Sequence, residues 1–531
     1  MKKAIGHIVS GSLADGFTMR IAPDVVLAEV KTGKFVSVVT EWYTFFSLIT
    51  DLALAVSQPD ILQFPPAPHE TLLQELLARK DMYATAIIRP MLMRDKEGAL
   101  SPVKTVPHHF AQVYEASAQD IAHIFGKEDD ESNKYFNLGT PLDMDIDICI
   151  NVEKITERSS GIFGKTGTGK TFLTRLLLAG LIKHNKASVL IFDMHNEYGL
   201  QARQESHHVF VKGLKTLFPD RIAIFSLDPQ STRRRGGSPD VDVVIPYSAI
   251  AVEDIVSLQD ELNLHATAFE AAHLIAARYK QEWLSMLLAQ TDIKEFANTI
   301  GAHSESVAAL YRKLKRIESV PFFVPHASSS YSVIDQMMEY ISRGVSIIIE
   351  FGNFTSTFLY LLIANIITRR LHALYVAKTE QFLGSQRAQD EPKKLLICIE
   401  EAHKFLNPQA ARQTIFGTIA REMRKYYVSL LIVDQRPSSI DQEVLSQVGT
   451  KIIAQLTDEK DINAVLSGVS HANNLRTILA SLDTKKQVLV IGHAIVMPVV
   501  IHTRLYDETF YRAMSPMPTV QEIQEKIQEI F

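Results

Sequence analysis

At 531 residues the chain is long enough for roughly two to four domains with ample core. Apolar residues make up 46% and charged residues 22%, an ordinary globular balance. The formal net charge of −5 excludes an overall basic signature, so any nucleic-acid contact is local, on a loop or a pore wall.

The first residues, MKKAIGHIVSGSLADGF, carry two lysines but no sustained apolar core, so no signal peptide is read there. The first hundred or so residues are β-rich. AIGHIVSGS, GFTMRIA, VVLAEVK and FVSVVTEWY are short β-prone runs, punctuated at barrel-like intervals by Gly11, Gly16, Pro23 and Gly33. TLLQELLARK reads as a helix and YATAIIRPML as a strand. The polar, acidic stretch GKEDDESNKYFNLG, residues 126–139, reads as a linker or surface loop.

From about residue 140 the pattern changes to near-continuous apolar runs separated by helical segments. SVLIFDMH, RIAIFSL, VSIIIEFGNF, KLLICIEEAH, SLLIVDQ, TKIIAQL and KQVLVIG have the character of parallel strands buried on both faces, which predicts a doubly wound α/β domain. Residues 251–343 lack a strong strand and predict a helical insertion. The tail TVQEIQEKIQEIF places Val520, Ile523, Ile527 and Ile530 on one helical face. The expected boundaries are a barrel-like domain with connector at 1–115, the α/β core at 116–250 and 344–531, and the insertion between. The longest apolar run, FLYLLIANII, stops at Thr368-Arg369-Arg370 and is too short to span a bilayer, so no membrane contact is expected. Cys149 and Cys398, the only two cysteines, lie in strand-like apolar runs and read as buried small hydrophobes. They leave no disulfide framework or zinc spacing and fit a cytoplasmic location.

Gly164, Lys165, Thr166, Gly167, Thr168, Gly169, Lys170 and Thr171 satisfy G-x-x-x-x-G-K-[ST]. The glycines let backbone N–H groups turn toward a polyphosphate, and the following helix adds its positive N-terminus. Lys170 is expected to bridge the β- and γ-phosphates of ATP and the Thr171 hydroxyl to bind Mg²⁺. The motif follows a short apolar run and opens a helix, a context that disfavours a ligand-free glycine turn. Glu400 and Glu401 end the run LLICIEE, at the strand end where α/β sheets bind ligands. There Glu400 is expected on the Mg²⁺ shell and Glu401 on the attacking water, because successive side chains diverge at a strand end. His403 reads as a helix start in preference to a site contact. Asp193 is placed at a strand end beside the P-loop strand, with His195 and Glu197 following; it either touches Mg²⁺ or the water network, or caps the next helix. Arg421, Arg424 and Lys425 form either a solvated face or a phosphate contact, and Gln435 ends the next strand where a γ-phosphate sensor would sit.

Together GIFGKTGTGKT, LIFDMHNEYG, ICIEEAH, IAREMRKYYVSLLIVDQRPSSID and VIGHAIVMPVVI resemble, in this order, the HerA family of hexameric DNA-translocating ATPases. The N-terminal IGHIVSGS and VKTGKFVSVV look like that family's barrel, so the resemblance covers most of the chain. It implies a RecA-like core with an inserted helical bundle, a hexameric ring around double-stranded DNA, and ATP between subunits. It also implies phosphate and metal roles for Lys170 and Thr171, a Walker B role for Glu400 and Glu401, a sensor in Gln435, and an arginine of Arg421 or Arg424 acting on a neighbour's nucleotide. Family members work with a nuclease of the NurA type in DNA end resection, and some relatives pair with a sirtuin-like or other effector in antiphage defence. The pair Glu-Glu replaces the commoner Asp-Glu, and ERSSGIFG stands where the family often has a histidine, which marks a divergent member. Arg233, Arg234 and Arg235, expected in a flexible loop, and Lys313, Lys315 and Arg316, expected on a helix of the insertion, either track DNA phosphates or line a solvated surface. The competing reading is an ATP-gated ring that recruits and activates an effector, with DNA movement secondary. Order argues against a transporter-type ATPase, because LSGVS follows ICIEEAH instead of preceding it.

Overall fold

A computed structural model describes residues 4–57, 69–70, 82–142, 144–203, 210–326, 332–422, 425–469, 472–483 and 486–514. The expected helix TLLQELLARK and the tail helix lie outside them. The chain divides into two compact units, residues 1–151 with 451–504, and residues 152–450 with 505–531. Each draws on two separate chain segments.

In the first unit, strands Ala4–Ser12, Gly16–Ile21, Phe35–Val39, Thr44–Val56, Met82–Arg94 and Gln112–Glu115 pair in the order second, first, sixth, third, fourth, fifth. Pairing of Phe17–Arg20 with Thr85–Ile88 closes them into a six-stranded barrel. Alternation along the strands fills its interior with Ile8, Phe17, Val36, Phe45, Ile88 and Val113. The run VVLAEVK is not a strand: Leu27–Glu29 forms a 3₁₀ turn after the Pro23 break. Likewise only the polar half of residues 126–139 is loop. Tyr135–Pro141 is a strand with Phe136 and Leu138 fully buried, paired to Ile148–Asn151 and to Val499–Thr503. Its apolar alternation outweighs the acidic residues before it.

The second unit holds a parallel sheet of buried strands. From one side it runs Val241–Asp242, Ile222–Ser226, Ser346–Glu350, Ser188–Asp193, Leu395–Glu400, Val428–Asp434 and Ser160–Phe163. Their continuous apolar character is what a sheet covered on both faces requires. Register sets Phe163 opposite Asp434, Glu400 opposite Val433, and Asp193 opposite Glu350, so the strands' carboxyl ends share one edge. Between residues 252 and 342 the described chain is mainly helical, from Val252–Val256 to Val333–Ser342. Asp254 at its start forms a 2.6 Å ion pair with Arg369 on the 29-residue helix Thr357–Ser385. That helix carries FLYLLIANII, and no helix among the described residues is long and apolar enough to cross a membrane.

Candidate nucleotide site

The sheet's carboxyl edge opens into a cavity of about 220 Å³ lined by Thr166, Gly167, Gly169, Lys170, Thr171, Phe172, Arg175, His195, Glu197, Glu400, Glu401, Val433, Asp434 and Gln435. Ser160–Phe163 delivers the P-loop to this edge, and Gly164 donates its N–H to the Asp434 carbonyl at 3.3 Å. Gly167 and Gly169 have φ of 80° and 84°, and a Cβ at either would meet nothing within 4 Å. Backbone twist, not crowding, is what calls for glycine there. Gly169 N-caps the helix Lys170–His184. The Lys170 ammonium donates to the Lys165 carbonyl at 3.0 Å. Burial lowers its pKa, against the pull of Glu401, Asp434 and Glu400.

Glu400 and Glu401 part company as expected, and the backbone is the cause. Glu400 is the last strand residue, and Glu401 adopts φ 49°, a left-handed conformation rare outside glycine. Glu400 accepts from the Tyr198 hydroxyl at 2.5 Å, and Tyr360 brackets its backbone, donating to its carbonyl at 3.1 Å and accepting its N–H at 3.3 Å. Burial pushes the Glu400 carboxyl up to about 7, opposed by the Tyr198 hydrogen bond. The Glu401 side chain, 37% exposed, faces Gln435. Gln435 accepts from Thr166 Oγ1 at 2.5 Å and donates to Glu401 Oε2 at 3.3 Å, so its amide links the P-loop to Glu401.

Asp193 does not reach this cavity. The strands Leu395–Glu400 and Val428–Asp434 stand between its strand and the P-loop strand, not the adjacency expected from sequence. Asp193 is fully buried, and its two oxygens accept the N–H groups of Glu197 and Tyr198 at 2.8 Å each. Burial pushes its carboxyl up to about 7 against those two bonds. It closes the turn that presents His195 and Glu197 to the cavity. Arg421 also lies off the cavity, at the end of helix Ile415–Glu422, donating to the Ala411 carbonyl at 2.9 Å. Arg424 is outside the described residues. Of the candidate DNA-contacting cations, Arg233 and Arg234 lie in the helix Pro229–Arg234, capped by Asp228. Arg235 forms a 2.6 Å ion pair with fully buried Glu350, and Arg316 stacks 3.5 Å over the Phe358 ring. Those two serve the fold.

Sequence reasoning passed over three residues. Asp434, 1% exposed, accepts the His403 N–H at 2.6 Å, His403 Nδ1–H at 2.9 Å and the Arg436 N–H at 2.6 Å. The hydrogen bond to Asp434 raises the His403 pKa. His403 does start a helix, as expected, and also lies 3.7 Å from Glu401. Tyr198 and Arg175 are both buried beside the cavity, and Arg175 donates to the Glu197 carbonyl. The signals were present: an acid just before Gln435, and the arginine five residues beyond Lys170 in a helix otherwise apolar at that depth.

The family described as "Helicase HerA, central domain" matches residues 136–371. The chain is 23% identical over 428 residues to the DNA double-strand break repair helicase HerA of Pyrococcus furiosus, covering 74% of this chain and 72% of that one. It is 26% identical over 424 residues to the protein of the same description from Sulfurisphaera tokodaii, covering 76% and 75%. A probable helicase of Methanocaldococcus jannaschii is 24% identical over 436 residues, covering 78% and 74%. Among solved structures, the bacterial conjugative coupling protein TrwBdeltaN70 aligns with 73% of this chain and 92% of its own at 11% identity and a TM-score of 0.47.

Proposed function

Because the chain belongs to the HerA family, we propose that it is an ATP-driven DNA translocase that hydrolyses ATP to ADP and phosphate and moves double-stranded DNA through a hexameric ring. The observation that carries this reading is the convergence of Lys170, Glu400, Glu401 and Gln435 on one cavity, with Thr166, Gln435 and Glu401 joined by hydrogen bonds. A phosphate-binding loop alone serves binding. A loop tied to a carboxylate at the position of the attacking water serves turnover.

In this reading the N–H groups of Gly164–Thr171 and the Lys170 ammonium hold the β- and γ-phosphates. Thr171 and Glu400 supply oxygen ligands for Mg²⁺, a cation that takes one or two protein oxygens and completes its shell with phosphates and water. Bound there, Mg²⁺ would neutralise charge on the phosphates. Glu401 orients the attacking water and accepts its proton. Gln435 touches the P-loop and Glu401 at once, so a γ-phosphate held by the loop is felt at the carboxylate. Arg421 lies off its own cavity, and the family resemblance gives it or Arg424 the role of acting on a neighbouring subunit's nucleotide. The partner is a nuclease of the NurA type or a sirtuin-like or other effector, in DNA end processing or antiphage defence.

The test is the ATPase rate of the purified chain, with and without linear double-stranded DNA, beside Glu401→Gln. DNA-stimulated turnover that vanishes in the variant is expected. Robust hydrolysis indifferent to DNA overturns the translocase reading in favour of an effector-recruiting ring.

A further inference from the structure

Tyr198 is fully buried, yet its hydroxyl ends 2.5 Å from Oε1 of Glu400, a side chain that lines the nucleotide cavity. The tyrosine is held at both ends. Its N–H donates to Asp193 at 2.8 Å, and its ring lies 5.8 Å from the Arg175 guanidinium, which comes from the P-loop's own helix. Arg175 also donates to the carbonyl of Glu197, the residue before Tyr198. The phenol is thus fixed to the same helix that carries Lys170 and Thr171. Tyr360 separately fixes the backbone of Glu400 through its carbonyl and N–H. Backbone restraint leaves the carboxylate free to turn about its last bond; a donor on one oxygen removes that freedom.

We propose that Tyr198 is a positioning residue that holds Oε1 of Glu400 and leaves Oε2 as the single oxygen presented to Mg²⁺ or a water of its shell. This rests on the reading of Glu400 as the metal-side carboxylate. A tyrosine hydroxyl carries the proton it donates, and at 2.5 Å from a carboxylate oxygen it is the donor of the pair. A ligand oriented this way binds with less loss of freedom, and partners of metal ligands typically contribute about 10- to 100-fold in metal affinity or activity.

The test compares Tyr198→Phe, Glu400→Gln and the double variant in the full chain. A fluorescent ADP analogue is titrated into each, once with Mg²⁺ and once with EDTA, and the Mg²⁺ needed for half-maximal ATPase is measured where turnover survives. Tyr198→Phe should leave affinity in EDTA unchanged and lose most of the Mg²⁺-dependent tightening, with half-saturating Mg²⁺ raised about 10-fold or more. In the Glu400→Gln background the tyrosine substitution should have no further effect. If Glu400→Gln removes the Mg²⁺ dependence and Tyr198→Phe does not, the positioning role is wrong and the site assignment stands. If Glu400→Gln leaves the Mg²⁺ dependence intact, the assignment of Glu400 fails and the proposal with it. Equal weakening in Mg²⁺ and EDTA marks Tyr198 as a packing residue only and overturns the proposal. Should Tyr198→Phe alone not fold, the double variant set against Glu400→Gln decides: a tyrosine effect that persists there is independent of Glu400 and overturns it.

Discussion

The nucleotide site has two sides built from adjacent residues. Beneath it, Asp193, Tyr198, Tyr360 and Glu400 form a buried frame joined by hydrogen bonds of 2.5–3.3 Å. At its rim, Lys170, Glu401 and Gln435 line the cavity, and the amide of Gln435 reaches Glu401 at 3.3 and 3.5 Å. Glu400 belongs to the first group and Glu401 to the second, although one peptide bond joins them. Sequence position therefore says little about role. One left-handed residue assigns two identical side chains to different surroundings.

That contrast predicts turnover effects without loss of stability at the rim, and loss of stability where a support beneath the frame is removed. The largest is expected for Glu401→Gln, which should lower ATP turnover by about 10²- to 10⁴-fold, the usual range for a general base, with nucleotide affinity and melting temperature near wild type. A clear loss of stability would break the distinction. Arg235→Ala acts on the buried frame. It strips the ion pair from Glu350, whose strand lies beside that of Asp193. Unpairing a buried charge costs about 3–5 kcal/mol, and the partial exposure of Arg235 reduces the expected loss to about 2–3 kcal/mol by chemical denaturation. Unchanged stability there would show that the frame does not depend on this pair. Gln435→Ala should lower turnover about 10-fold while ATP still binds, because a donor and an acceptor are lost together without a buried charge being exposed.

The smallest effect concerns His403. Its pKa in the fold is raised above the ordinary value, chiefly by the Asp434 hydrogen bond. The stabilisation is therefore fully present below the unfolded pKa of about 6.5 and lost as pH rises through the folded value. The melting-temperature gap between wild type and His403→Gln should be wider at about pH 6 than at about pH 8. A gap that widens with pH would place His403 outside the Asp434 couple.

Much of this was legible in the sequence. The P-loop, both glutamates and Gln435 were placed by motif and strand end, because continuous apolar runs mark buried strands plainly; they do not fix direction, and KQVLVIG, read as parallel, pairs antiparallel with Val499–Thr503. The order of the strands was not legible. Asp193 ends a strand of the same apolar character as the others, and only pairing reveals that two strands separate it from the P-loop. Arg235 and Arg316 looked like surface cations because their partners, Glu350 and Phe358, lie more than forty residues away in each case. Tyr135–Pro141 was hidden by its acidic neighbours, which belong to a loop that ends where the strand begins.

The φ of 49° at Glu401 has a bearing on directed evolution. A glutamate in that conformation costs on the order of 1 kcal/mol relative to residues that enter it readily, such as asparagine. A library selected for heat resistance alone would thus favour replacements at this position and enrich inert proteins among its winners. Only a screen that also demands turnover would retain the acid. Its position in the chain is thus one where durability and activity pull against each other.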